Sequence, residues 1–163
     1  MVSPQNPLKP SAGLLADDAR LLLARLAVEG MAGVRVTDFE CHLPRPSYMV
    51  HTLAALHDAY PGTDFVLVVG ADNWLRFHEW HRADEILARH DIIVYPRAGH
   101  DIAAATLPQG VQLLDAPLFP YSSTAIRHAI ATDQDYRGEG LAPAVWDAIR
   151  AHGWYGYCRN TNH

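Results

Sequence analysis

The run Tyr121-Ser122-Ser123-Thr124-Ala125-Ile126-Arg127 has the residue types that phosphate binding asks of a helix start. Ser and Thr hydroxyls accept from the free amides of a first turn, and the positive end of the helix dipole meets an incoming anion. Arg127 adds a planar cation able to pair bidentately with phosphate oxygens. By itself such a run is also an ordinary helix cap. A second group, Gly70-Ala71-Asp72, follows an apolar stretch and carries chemistry of another kind. Gly70 lets a ligand approach the backbone closely, and Asp72 can accept from ribose hydroxyls. Asp72 can equally cap the helix after it, which is the commoner use of such a residue. Trp74, Phe77, Trp80 and His81 form an aromatic cluster just beyond. Aromatics at this density usually mean core, but a Trp among polar neighbours can stack on a ligand ring.

His78, Glu79 and His81 fall one residue short of the spacing that puts two imidazoles on one helical face, so no zinc site is expected there. His51, His57, His90 and His128 are scattered and read as surface or satisfied core side chains. No Gly-x-Ser-x-Gly nucleophile motif occurs.

The elements that must position these residues alternate between helix and strand patterns, as in a parallel α/β sheet. Helices are expected over Leu14–Glu29, Ser47–Tyr60, Ala83–Arg89, Ser122–Ala131 and Ala142–His152, and strands over Val34–Phe39, Phe65–Val69, Asp91–Tyr95 and Gln112–Leu114. The unbroken apolar run Phe65–Val69 suits a strand covered on both faces. Gly70-Ala71-Asp72 and Arg97-Ala98-Gly99 then fall just past two strand ends, where open parallel sheets hold their ligands. With no repeat or linker in 163 residues, a single domain over 1–163 is expected.

Composition narrows the function classes. Apolar residues make up 49% of the chain and charged ones 19%, which suits a globular protein rather than a disordered one. A net charge of −5 speaks against general nucleic-acid binding, so a phosphate ligand needs a local site. Cys41 and Cys158 lack paired spacing and read as reduced thiols. No apolar run reaches membrane-spanning length and the first residues do not read as a signal peptide, so a cytoplasmic address is expected.

In order along the chain, the Ser3-Pro4-Gln5-Asn6-Pro7-Leu8-Lys9 opening, Pro46-Ser47-Tyr48 with Thr52-Leu53, the Gly70–Trp80 run, Arg97-x-Gly99 and Tyr121–Arg127 together resemble the bacterial nicotinate-nucleotide adenylyltransferases. The similarity runs through to the helix around Val145–Gly153. It implies a Rossmann-like, doubly wound parallel sheet of the nucleotidyltransferase type. It also implies an enzyme that joins ATP to nicotinate mononucleotide, giving deamido-NAD and pyrophosphate with Mg2+ accompanying ATP. Carried across residue by residue, Ser122, Thr124 and Arg127 would hold the ATP phosphates, with Arg127 the catalytic cation. Asp72 would bind the adenosine ribose beside Gly70, and Arg97 would line the ATP side. Trp80 would stack on the pyridine ring, backbone amides near Met49 and His81 would meet its carboxylate, and Lys9 would approach the mononucleotide phosphate.

Three departures are mild: Tyr121 stands where the family usually has Ile, Met49 where Thr is common, and Ala98 where Pro is common. One is large. The family's Gly-x-Phe-x-Pro-x-His-x-Gly-His signature, whose histidines contact ATP phosphates, is absent. Met1–Pro4 resembles the end of the family's second strand, so the first strand–helix unit, roughly 30 residues or more, is expected to be missing. Strand edges at 34–39 and 65–69 would then lack their neighbour, an aggregation liability. The same gap keeps open a non-catalytic nucleotide-binding module. Another adenylyltransferase, acting on phosphopantetheine or on nicotinamide mononucleotide, also stays open.

Overall fold

A computed structural model describes residues 1–4, 14–133 and 136–158. The chain divides into two compact units, one built from Met1–Pro46 with Tyr121–His163, the other from Ser47–Pro120. No described helix is long and apolar enough to cross a membrane.

The Ser47–Pro120 unit holds the sheet. Strands β1 (Leu67–Gly70), β2 (Ile92–Tyr95) and β3 (Val111–Leu113) lie in that order, all parallel, with Leu67 opposite Ile92 and Ile92 opposite Val111. Side chains alternate between faces along each strand. Val69, Ile92, Val94 and Val111 accordingly share the buried face, with Ile92 and Val94 fully enclosed. Helices α2 (Met49–Ala59) and α4 (Ala83–Arg89) cover that face, contributing Val50, Leu53, Ala83 and Ile86 to the same core. Between β1 and β2 the chain also makes α3 (Ala71–Trp74) and a 3-10 turn, Phe77–Glu79, whose Phe77 is buried.

The α/β class and the parallel sheet are as expected, and two strand readings need correction. The Phe65–Val69 run is not covered on both faces: Val66, just before β1, and Val68 within it are 49% and 58% exposed. An apolar run states that a strand is hydrophobic, not that helices lie on each side of it. The Val34–Phe39 strand does not form either. Val2 donates its amide to the Thr37 carbonyl at 3.2 Å, but Thr37 Oγ1 accepts from the Phe39 amide at 3.1 Å. The chain then turns into a 3-10 turn, Phe39–His42. A local side-chain acceptor has taken the amide that a ladder would need.

In the other unit, α1 (Asp17–Ala27), α5 (Ser123–Thr132) and α6 (Pro143–His152) enclose a core of Leu23, Ile130, Tyr136, Val145, Trp146 and Ile149. Pro143 opens α6, where its missing amide costs nothing, and Gly153 ends it in the left-handed region at φ 64°. Arg20 ties the first residues down, donating to the carbonyls of Ser3 at 2.5 Å and Pro4 at 2.8 Å.

At the amino ends of the strands, two of the scattered histidines prove to be paired. His57 and His90 have ring centroids 5.1 Å apart, tilted by 31°, on the wall of a cavity of about 490 Å³ that Phe65, Asp91 and Gln109 also line. Burial holds the His90 pKa below the usual 6.5, helped by the charges of His57 and Arg89 and opposed by its 3.4 Å contact to the Phe65 carbonyl. A histidine with a depressed folded pKa binds fewer protons folded than unfolded, so stability falls as pH drops through 6.5 toward the lowered value. The melting temperature is expected to fall between about pH 7.5 and about pH 5.5, and His90→Gln to narrow that fall. An equal fall in the variant would remove His90 as its source.

Candidate functional site

At the carboxyl ends of β1 and β2, three residues press together. Gly70 closes β1 and precedes α3, with φ −76° and ψ 154°, a conformation open to any residue. What it requires is the missing side chain: a Cβ there would lie 2.5 Å from Asp72 Oδ1 and 3.1 Å from the Tyr95 ring. Asp72 does not cap α3, since Gly70 is the N-cap residue and no side-chain cap bond forms. Its carboxylate turns instead toward Arg97, with Nε 3.5 Å from Oδ1. The Arg97 guanidinium also lies 5.4 Å over the Tyr95 ring. The turn that aims Arg97 closes with the His100 amide donating to the Arg97 carbonyl at 3.1 Å, and Gly99 sits in it at φ 77°, where glycine is favoured.

Asp72 Oδ1 and Arg97 Nε are both shielded from water, and neither has a hydrogen-bond partner among the described residues. Their 3.5 Å ion pair satisfies charge but leaves both atoms without a hydrogen bond. Two such atoms side by side at strand ends suit ligand hydroxyls and phosphate oxygens.

The aromatic cluster forms the next wall of the same unit. Trp74 stacks on Phe77 at 5.2 Å, and Phe77 lies 5.0 Å from Trp80. Phe77 is the core member, while Trp80 is only partly buried and ends the 3-10 turn. His81 follows, its ring 4.4 Å from Tyr48 and 5.5 Å from His51. Tyr48 is the N-cap residue of α2, which has no side-chain cap and begins at Met49. His81 and the Met49 turn are thereby brought together. Ser47 Oγ, just before, is buried and unpartnered among the described residues. Glu79 is held by Arg76, through bonds of 2.6 to 3.2 Å.

Ser122, Thr124 and Arg127 meet at the start of α5, in the other unit. Ser122 is the cap, its Oγ accepting from the Ala125 amide at 3.1 Å. Thr124 and Arg127 are three apart and so share a helix face. Tyr121 lies against Gly140, where a Cβ would come within 2.6 Å of its ring. Lys9 falls outside the described residues. Tyr48, His51 and Tyr95 are wall residues that sequence reading missed. Tyr48 and His51 could have been found from their one-turn spacing across a helix start, and Tyr95 from its place at a strand end.

A parallel sheet with crossover helices, a glycine-packed strand end and a capped helix start bearing an arginine belong to a nucleotidyltransferase fold. Solved structures agree. The nicotinic acid mononucleotide adenylyltransferase of Plasmodium falciparum in complex with NaAD has a TM-score of 0.74 to this chain at 15% identity, over 92% of this chain and 79% of that one. The complex with APC gives 0.72 at 15%, over 89% and 78%. Sequence relatives are closer. A protein of Bacteroides thetaiotaomicron named probable nicotinate-nucleotide adenylyltransferase is 48% identical over 152 residues, covering 93% of this chain and 75% of the relative. One of that name in Flavobacterium johnsoniae is 38% identical over 157 residues, covering 95% and 81%. No family model matches. The chain belongs to the nicotinate-nucleotide adenylyltransferase family, enzymes of NAD biosynthesis.

Proposed function

We propose that this chain joins ATP to nicotinate mononucleotide, using the strand-end site and the α5 start as its binding surfaces. The observation that carries the reading is the buried Asp72–Arg97 ion pair, whose facing atoms lack a hydrogen bond among the described residues, packed against Gly70. Asp72 accepts from the adenosine ribose hydroxyls, and Arg97 donates toward the nucleotide. Trp80 offers its ring face to the pyridine, and the uncapped first turn of α2 with the His81 backbone meets the carboxylate. Thr124, Arg127 and the α5 amides hold the phosphates. Lys9 approaches the mononucleotide phosphate.

In this reading a phosphate oxygen of the mononucleotide attacks the α-phosphorus of ATP in line. The bond from that phosphorus to the bridging oxygen breaks, its electrons leave with pyrophosphate, and deamido-NAD forms. The protein supplies position and charge, with no covalent intermediate. Among the described residues no group of three His, Cys, Asp or Glu is placed to hold a metal, and the donors around the phosphates are hydroxyls, amides and guanidinium. Mg2+ accompanying ATP would supply charge neutralisation beside these donors. We place this work in the cytoplasm, where ATP is supplied.

Pyrophosphate release with ATP and nicotinate mononucleotide tests the reading, with nicotinamide mononucleotide run in parallel. Binding of both substrates without turnover would establish the non-catalytic alternative. Trp80→Ala is expected to weaken pyridine-nucleotide binding about tenfold, from the loss of a stacking contact, and to leave ATP affinity unchanged. The opposite pattern would end the assignment of that ring.

A further inference from the structure

Between Trp80 and α4 the backbone takes a form that its residue resists. The Ala83 amide donates to the Trp80 carbonyl at 3.2 Å, closing a four-residue turn over 80–83. Arg82, its third residue, sits at φ 55° and ψ 44° in the left-handed region, while His81 before it does not take positive φ. A turn with positive φ at the third position asks for Gly or Asn, and the Arg Cβ crowds the backbone there. Arg82 also directly precedes α4, a place for an extended residue with a capping side chain. It is neither extended nor a side-chain cap. Such a conformation persists only where the structure on either side holds it. On one side Ala83 and Ile86 are buried in the sheet core, which fixes the start of α4. On the other, the Trp80 ring lies 5.0 Å from the buried Phe77, and its amide donates to the Phe77 carbonyl at 3.0 Å. Two residues join these anchors, and they do so through the left-handed turn.

We propose that Arg82 is a positioning residue for the pyridine nucleotide, acting through the left-handed backbone that presents Trp80 and His81. The inference rests on the reading of those two residues as the pyridine site. His81 is the second residue of the turn, its ring 4.4 Å from Tyr48 and 5.5 Å from His51, beside the uncapped first turn of α2. In a turn of this kind the peptide joining the second and third residues faces one way when the third is left-handed. It is turned over when the third is right-handed. Here that peptide joins His81 to Arg82, so a right-handed Arg82 would redirect the His81 backbone assigned to the carboxylate and disturb the Trp80 wall. The arginine head group is engaged elsewhere. It pairs with Glu85 on the first turn of α4, and Glu85 also pairs with Arg89. An exposed pair of this kind restrains a side chain and contributes little to a fold. The backbone strain then has a function: it keeps the turn in the one form that faces His81 to α2.

Calorimetry on the full chain tests this, with nicotinate mononucleotide and Mg2+-ATP titrated separately and the melting temperature taken for each variant. Arg82→Val puts a branched Cβ where positive φ suits it least. It is expected to weaken nicotinate mononucleotide binding about tenfold and ATP binding less than about twofold. Arg82→Thr carries the same branching and stands in if the valine variant does not fold. Arg82→Gly is the conservative change for the backbone, since glycine takes positive φ freely, and it is expected to keep nicotinate mononucleotide affinity within about twofold of the parent. Glu85→Gln breaks the ion pair without touching the turn and is expected to leave both affinities as they are. Parent-like nicotinate mononucleotide affinity in both branched variants would overturn the proposal. A loss in Arg82→Gly or Glu85→Gln equal to theirs would place the effect in the side chain, also against it. Equal losses of both ligands would mark a general loss of structure, and that too would overturn the positioning role. Unchanged nicotinate mononucleotide affinity in Trp80→Ala would instead end the reading of the pyridine site, and this inference with it.

Discussion

Replacing Arg127 by alanine is expected to lower kcat/KM for adenylyl transfer by about 10²–10³-fold, the usual effect of removing a donor aimed at developing charge. The attack on the α-phosphorus crowds negative charge onto the phosphoryl oxygens and the departing pyrophosphate. A guanidinium on the first turns of a capped helix carries paired donors in one plane. Arg127→Lys keeps the charge and loses the fork, so only part of the activity is expected back. Both variants should melt like the parent, since no ion pair or hydrogen bond within the described residues is lost with the side chain. Pyrophosphate release under saturating nicotinate mononucleotide checks this. A loss below about threefold in Arg127→Ala would remove the residue from the chemistry.

Gly70→Ala is the second large expectation, and it acts by contact alone. The backbone conformation suits alanine, so conformational strain plays no part. The new methyl would meet Asp72 Oδ1 at 2.5 Å and the Tyr95 Cζ and Oη atoms at 3.1 Å. Asp72 can rotate away only by giving up its approach to Arg97, and the Tyr95 ring lies under the Arg97 guanidinium. Either adjustment dismantles the pair assigned to the nucleotide. A loss of about 1–3 kcal/mol in stability is expected from overpacking. ATP affinity should fall about 10–100-fold, with pyridine-nucleotide affinity kept, since the atoms nearest the new methyl belong to Asp72 and Tyr95 rather than to Trp80 or His81. Gly99→Ala makes a useful contrast: nothing lies within 4 Å of its Cβ, but φ is 77°, so its cost is backbone strain without a clash. ATP affinity unchanged in Gly70→Ala would mean that Asp72 does not bind the ribose.

Much of this was legible in the residues. Helical spacing marked α1, α2, α4, α5 and α6 to within a few residues, because an amphipathic helix repeats its pattern over several turns. β1, β2 and β3 were found because short apolar runs bounded by turn residues have few other uses. The Ser122 cap was local chemistry, and it formed as local chemistry does.

Other outcomes depended on partners distant in sequence. Whether Val34–Phe39 became a strand turned on finding a ladder neighbour, and Thr37 bound the Phe39 amide instead. Asp72 had two local uses open to it, and the choice was made by Arg97, which sits on the next strand's loop. The pairing of His57 with His90 and of His51 with His81 brings together residues thirty or more positions apart, which no periodicity encodes. The strain at Tyr155, which sits at φ 59° in the turn after α6, is of the same kind, since it is the packing of its turn on α5 and α6 that holds an aromatic residue there. By itself the sequence determined most of the elements, the family and the residue types at the site. Tertiary structure decided which of those residues face one another, because hydrogen bonds and ion pairs are settled by distances of a few ångströms, and a linear pattern sets such distances only within one helix turn or one strand.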